Sequence, residues 1–219
     1  MKGLYVYALV PAGFDASPGT GLADEPLRTI PLGAIDAVVG EMEDRPSIAP
    51  PSLRAHDEVV RGIGRASDAI LPMRFGAMVL DAGELREGLG PRVPALAASL
   101  ERTRGCDQLT LRLYAPGAGA TAPAPELPAG PGTRWLRARS AHAAIPELAR
   151  VREALSSLVR AESIETHDAP PLRASVFHLV PRAALGDYRA RVESLAVAMP
   201  AARVVATGPW PPYAFTELE

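Results

Sequence analysis

The residues of this chain that could carry chemistry are four histidines, one cysteine and dispersed carboxylates, and their spacing decides what they could do. Glu165 and His167 stand two apart in a segment of strand character and would share one face, the minimum arrangement for two metal ligands. No third ligand accompanies them, so an exposed strand is the plainer expectation. His56 beside Asp57 has the composition of a general base with an orienting carboxylate. Adjacent helix positions diverge by about 100°, however, so a packed or solvent-edge histidine is expected there. Gly62-Ile63-Gly64 hints at a dinucleotide fingerprint, but that motif must follow a strand and open a helix, whereas this one lies inside a helical stripe. Walker A, G-x-S-x-G and C-x-x-C patterns are lacking. Cys106 is the sole cysteine, so no internal disulfide forms; a buried thiol and a reducing cytoplasm fit it. No catalytic residue, no cofactor site and no metal site are expected in this chain.

Two segments stand out for adhesion instead. Leu71-Pro72-Met73-Arg74-Phe75-Gly76 combines a rigid turn, large apolar groups, one cation and a glycine, a composition suited to presenting Arg74 while Met73 and Phe75 anchor it. The plainer alternative is a strand start with Arg74 in a structural salt bridge. Gly208-Pro209-Trp210-Pro211-Pro212-Tyr213-Ala214-Phe215 is proline-stiffened, which favours an extended, polyproline-like path. Its aromatic residues either pack back over the fold as a C-terminal clasp or face a partner, where Trp and Tyr are frequent anchors. The candidate partner-binding residues are therefore Arg74, Phe75, Trp210, Tyr213 and Phe215.

The elements that must position these residues are legible in the periodicity. Leu4 to Val10 is apolar on both faces and reads as a doubly covered first strand. Gly13 to Glu25 is a loop, and Leu27 to Leu32 and Ala37 to Met42 are short strands. Ser52 is the expected N-cap of a helix whose stripe of Leu53, His56, Val59, Val60, Ile63 and Ile70 ends near Ile70, before Pro72. Met73 to Val79 alternates as a strand, and helical patterns follow around Gly83 to Leu89 and Val93 to Arg102. Beyond them come a strand at Gln108 to Tyr114 and a helical region from Trp135 to Arg160. Strands at Ser163 to Asp168 and Arg173 to Val180 meet at Ala169-Pro170-Pro171. A helix carrying Leu185, Tyr188, Val192, Leu195 and Met199 ends at Pro200, and Ala202 to Thr207 is the last strand. This second-half order, β-α-β-β-α-β, is the ferredoxin-like arrangement. The fold class is α+β in two domains, residues 1–105 and 106–219. Between Ala115 and Thr133, 15 of 19 residues are Ala, Pro or Gly, which predicts an extended loop.

A formal charge of -2 gives no electrostatic footprint for nucleic acid. The opening apolar run is short for a secretory signal and is followed by no A-x-A site. No apolar stretch reaches the 18 residues a membrane span needs.

LPMRFG at Leu71 to Gly76 and TGPWPPYAF at Thr207 to Phe215 resemble the signature stretches of the GvpF/GvpL family of gas vesicle proteins. LYVYALV at Leu4 to Val10 and AHDEVV at Ala55 to Val60 are similar to that family in kind and order, so the resemblance spans nearly the whole chain. The resemblance implies a cytoplasmic protein required for gas vesicle formation, with an α+β N-terminal domain and a modified ferredoxin-like C-terminal domain. It also implies association with the small hydrophobic shell protein GvpA, and possibly with other gas vesicle proteins, as a minor shell component or assembly factor. Relatives have a longer, more charged and more helical stretch where this chain carries Ala115 to Thr133. The rival expectations are a small-ligand-binding or regulatory α+β protein, and a family member working without gas vesicles.

Overall fold

The computed structural model describes residues 2–16, 19–114, 145–168, 171–199 and 202–216. It is a mixed α/β fold with two antiparallel sheets and helices. Residues 1–107 with 210–219 form one compact unit, and residues 108–209 form the other.

In the first unit β1 (Gly3–Pro11), β2 (Leu27–Pro31), β3 (Ile35–Met42) and β4 (Leu71–Pro72) lie in the order β2-β3-β1-β4, and β5 (Met78–Val79) also pairs with β1. Every residue from Leu4 to Val10 is buried, as a strand covered on both faces requires. The register against β3 shifts between Val6 and Ala8, a bulge that turns Tyr7 and Ala8 toward the same side. Leu4, Val6 and Leu9 pack with Leu85 of α2 (Ala82–Leu89) and Leu96 and Leu100 of α3 (Val93–Thr103). Tyr5, Tyr7, Ala8 and Val10 pack with Val60 and Ile63 of α1 (Pro50–Ala66).

Two expectations about α1 are corrected. It begins at Pro50 behind Ala49, with no side-chain cap, because proline at the first helical positions loses only an amide that has no helical partner anyway. Ser52 is therefore inside the helix. The helix also ends at Ala66, before Ile70. Ser67 is extended and its hydroxyl donates to the Ala69 carbonyl at 2.7 Å, a local bond that competes with another helical turn. Ile70 still reaches the core on the α1 side of the sheet. Gly62, in the middle of the helix, costs about 1 kcal/mol of helix stability relative to alanine.

The expected continuous strand from Met73 to Val79 is likewise corrected. Only Leu71–Pro72 and Met78–Val79 pair with β1, and the chain between them forms a turn.

In the second unit β6 (Cys106–Tyr114), β7 (Ala161–Thr166), β8 (Leu172–Pro181) and β9 (Arg203–Trp210) lie in the order β7-β8-β6-β9. The pairing of β7 with β8 is antiparallel, from Ala161 opposite Leu179 to Thr166 opposite Ala174. Leu109, Leu111 and Leu113 of β6 form one core with Leu148, Val151 and Leu155 of α4 (Pro146–Leu155) and Tyr188, Val192 and Leu195 of α5 (Leu185–Ala198). The last strand continues past Thr207 to Trp210, so Gly208-Pro209-Trp210 completes the sheet instead of starting a free extended segment. The expected loop at 115–133, residues 135–144 of the expected helical region, Ala169 and Pro170 of the expected turn, and Pro200 lie outside the described residues. Among the described residues no helix is long and apolar enough to cross a membrane.

Candidate functional site

Arg74 sits on a turn whose shape follows from one residue. The Ala77 amide donates to the Arg74 carbonyl at 3.2 Å, and Gly76 within that turn has φ +84°, a left-handed conformation that favours glycine. β1 brackets the turn: the Met73 amide donates to the Tyr7 carbonyl at 2.9 Å, and the Val6 amide donates to the Ala77 carbonyl at 2.8 Å.

A buried relay holds the turn from beneath. His56 Nε2 lies 3.2 Å from the Met73 carbonyl, which only accepts, so the proton is on Nε2. Nδ1 is thereby an acceptor for the Tyr5 hydroxyl, 3.0 Å away, and Tyr5 Oη accepts from the Gly76 amide at 2.9 Å. Burial first lowers the pKa of His56, opposed by its bond to Met73 and by the charge of Asp57, and so favours the neutral ring that this pattern needs. Burial likewise pushes the Tyr5 phenol up. Phe75 is half-buried, with its ring edge-on to His56 at 5.6 Å and to Tyr5 at 6.3 Å. Arg74 is exposed and makes no ion pair among the described residues, so the expected alternative of a structural salt bridge is not found there.

The C-terminal candidates belong to the same unit. The short helix Tyr213–Phe215 packs against Leu71–Pro72, which brings the two aromatic, proline-bearing segments side by side. Tyr213 also joins the core containing Tyr5 and Val60. Burial first, then the negative charge of Asp57, pushes its phenol up. The Arg61 guanidinium lies over the Trp210 ring, 4.3 Å from its centroid, and also pairs with Asp57 at 2.6 Å. Trp210, Tyr213 and Phe215 are all half-buried. The fold thus brings Phe75, Tyr213 and Phe215 around β4 and the turn after it, while Trp210 is held by α1.

Other residues considered for chemistry are placed differently. His167 follows β7 and bonds Ser175 Oγ at 2.9 Å, while Glu165 is exposed. Among the described residues no group of three or more His, Cys, Asp or Glu is arranged to hold a metal. Cys106 is buried, and His142 lies outside the described residues.

The polar clusters that organise both units escaped sequence reasoning. Besides the relay under the turn, Tyr7 donates to Glu25 Oε1, and burial first, then that bond, raises the Tyr7 pKa. In the second unit Tyr188 bonds His178 Nδ1 at 2.7 Å, His178 Nε2 reaches Glu162 at 3.2 Å, and Arg152 Nε donates to Glu162 at 2.8 Å. The bond from His178 first, then the Arg152 contact, lowers the Glu162 pKa against the opposing effect of burial; burial raises that of Tyr188. One signal was available: two phenols in a strand apolar on both faces must find buried partners.

Comparison with known proteins gives a consistent result. The family model described as "Gas vesicle synthesis protein GvpL/GvpF" matches residues 3–217. The fold is similar to that of the gas vesicle protein GvpF from Anabaena sp. PCC7120, with a TM-score of 0.77 at 14% identity, covering 100% of this chain and 98% of that one. It is also similar to that of gas vesicle protein GvpF from Microcystis aeruginosa, with a TM-score of 0.75 at 14% identity and 99% of each chain covered. No curated protein sequence matches.

Proposed function

The chain belongs to the gas vesicle synthesis protein GvpL/GvpF family, and from that premise we propose that it binds the small shell protein GvpA during gas vesicle formation, as an assembly factor or minor shell component. A gas-vesicle-related role follows from the family. The binding role is our reading, and the construction of the Arg74 turn carries it. The relay of Tyr5 and His56 fixes both Met73 and Gly76, so the turn presents an exposed cation between half-buried aromatic residues with little freedom left to lose on binding.

A shell subunit with a strongly apolar, gas-facing surface would aggregate unless something covered or templated that surface before assembly. A sheet edge or an aromatic-flanked surface suits that task, by strand addition or hydrophobic contact. The role needs no bond-making site. Its non-enzymatic character is supported by Tyr5, Tyr7, His56 and Tyr188, whose proton affinities are shifted but whose polar atoms are buried and bonded to protein groups. In this reading the protein works in the cytoplasm on the forming vesicle, other gas vesicle proteins join GvpA as partners, and the contact residues are Arg74, Phe75, Trp210, Tyr213 and Phe215. The first unit acts as an α+β domain and the second as a modified ferredoxin-like domain, a reading supported by the strand order β7-β8-β6-β9.

The test is retention of GvpA on immobilised protein carrying Arg74→Ala or Trp210→Ala, each first shown to unfold like wild type. A loss of about tenfold is expected for each, in line with the ~1.4 kcal/mol that one anchor contributes. Unchanged retention by both removes these residues from the reading. Deletion of the gene in its host, with electron microscopy, should show loss of vesicles.

A further inference from the structure

The first unit also carries a groove of about 550 Å³ between α1 and the 14–27 loop. Arg74, Phe75, Trp210, Tyr213 and Phe215 are not among its lining residues. Its apolar lining comes from Phe14, Leu22, Leu27, Val59 and Ile63, and its charged lining among the described residues is Asp15, Asp24 and Glu58, all carboxylates and all exposed.

The loop wall is built in advance of any occupant. Glu25 is buried and accepts from the Tyr7 hydroxyl and, at 2.9 Å, from the Ala23 amide, while Tyr7 Oη accepts from the Leu22 amide at 2.8 Å. Gly21 is required there, since a Cβ on it would stand 1.9 Å from a Glu25 oxygen.

The helix wall shows the opposite. Gly62 lines the groove in mid-helix, and a Cβ built on it meets nothing within 4 Å. Packing within the unit gives no reason for a residue that weakens the helix, yet its lack of a side chain leaves the groove open. Gly62-Ile63-Gly64, no dinucleotide motif, takes on a meaning here: Ile63 supports the core while Gly62 leaves room outside it.

We infer that this groove docks a peptide segment of a partner protein in which an arginine or lysine stands beside branched aliphatic residues. The aliphatic side chains fill the apolar floor, and the cation meets Asp24 and Glu58. Charge complementarity selects this occupant: an acidic or purely apolar segment would leave the carboxylates of Asp24 and Glu58 repelled or covered without a counter-charge. The volume matches a few side chains, within the ~300 to 1,000 Å³ of ordinary ligand sites. The inference goes beyond the role proposed for the Arg74 surface and does not need it.

The experiment selects a displayed random-peptide library on the full chain, with counter-selection on Gly62→Leu, which fills the open space. Enriched peptides are then titrated by fluorescence anisotropy against wild type, Gly62→Leu and the surface variant Glu58→Lys, after all three are shown to have matching thermal unfolding. Selected sequences should carry Arg or Lys flanked by Leu, Ile or Val. They should bind wild type at least tenfold more tightly than either variant, and more weakly as salt rises. The inference is overturned if no peptide distinguishes wild type from Gly62→Leu, or if the selected peptides lack a cation. It is also overturned if light scattering shows wild type, but not Gly62→Leu, self-associating at the titration concentrations, since the occupant would then be a second copy of this chain.

Discussion

Among the described residues, each unit buries a hydrogen-bonded tyrosine–histidine pair of nearly the same geometry, and the two units use it for different ends. Tyr5 meets His56 at 3.0 Å with rings at 71°, and Tyr188 meets His178 at 2.7 Å with rings at 83°. In both pairs the phenol donates to Nδ1, leaving Nε2–H to choose a second partner. In the first unit that partner is the Met73 backbone carbonyl, so the pair shapes an exposed turn. In the second it is the Glu162 carboxylate, itself held by Arg152, so the pair joins β7 and β8 to α4 and α5. The chemistry of a buried histidine is therefore set by the acceptor at its far nitrogen: a main-chain acceptor positions a loop, and a carboxylate fastens elements together.

Removing the two phenols tests this contrast most strongly. Tyr5→Phe leaves both His56 Nδ1 and the Gly76 amide without their partner and should cost about 3 kcal/mol in urea unfolding, whereas Tyr188→Phe orphans one acceptor and should cost about 1.5 kcal/mol. Equal losses would break the contrast.

Acid should separate the pairs next. Because the folded state lowers the pKa of His56, the unfolded chain takes up the proton more readily, so stability is lost as pH falls below the ordinary histidine range near ~6.5. Glu162 is also lowered, but its contribution disappears only below the ordinary glutamate range near ~4.3. The melting temperature should thus fall between pH 7.5 and 5.5. His56→Gln should flatten that fall and Glu162→Gln should leave it; the reverse pattern would assign the acid sensitivity to the second unit.

The smallest effect concerns the turn itself. Arg74→Ala should change unfolding free energy by less than about 0.5 kcal/mol, because the exposed guanidinium has no ion-pair partner among the described residues. A larger loss in the same urea titration would mean that the relay and the cation stabilise each other.

Much of the scaffold was legible because its periodicity is local. The burial of Leu4 to Val10 on both faces, the helix patterns near Gly83 and Val93 and the stripe of α5 all follow from side chains a few positions apart. The errors arose where a local signal met a tertiary competitor. Met73 to Val79 alternates like a strand, yet the bonds from Tyr5 and His56 and the left-handed Gly76 draw its middle into a turn. Ser52 has the chemistry of a cap, but Pro50 had already started the helix. The candidate residues were singled out for stiffness and aromatic content, and those properties say nothing of which neighbours each side chain meets.

By itself the sequence determined the apolar first strand, most helix and strand positions and the two proline-bearing segments, since backbone restriction and side-chain period act over short distances. Only the tertiary structure decided that Tyr5 finds a histidine 51 residues away, and that the helix at Tyr213 rests against Leu71 and Pro72. Hydrogen bonds and packing of that range depend on how strands are paired and stacked, and no local pattern encodes that pairing.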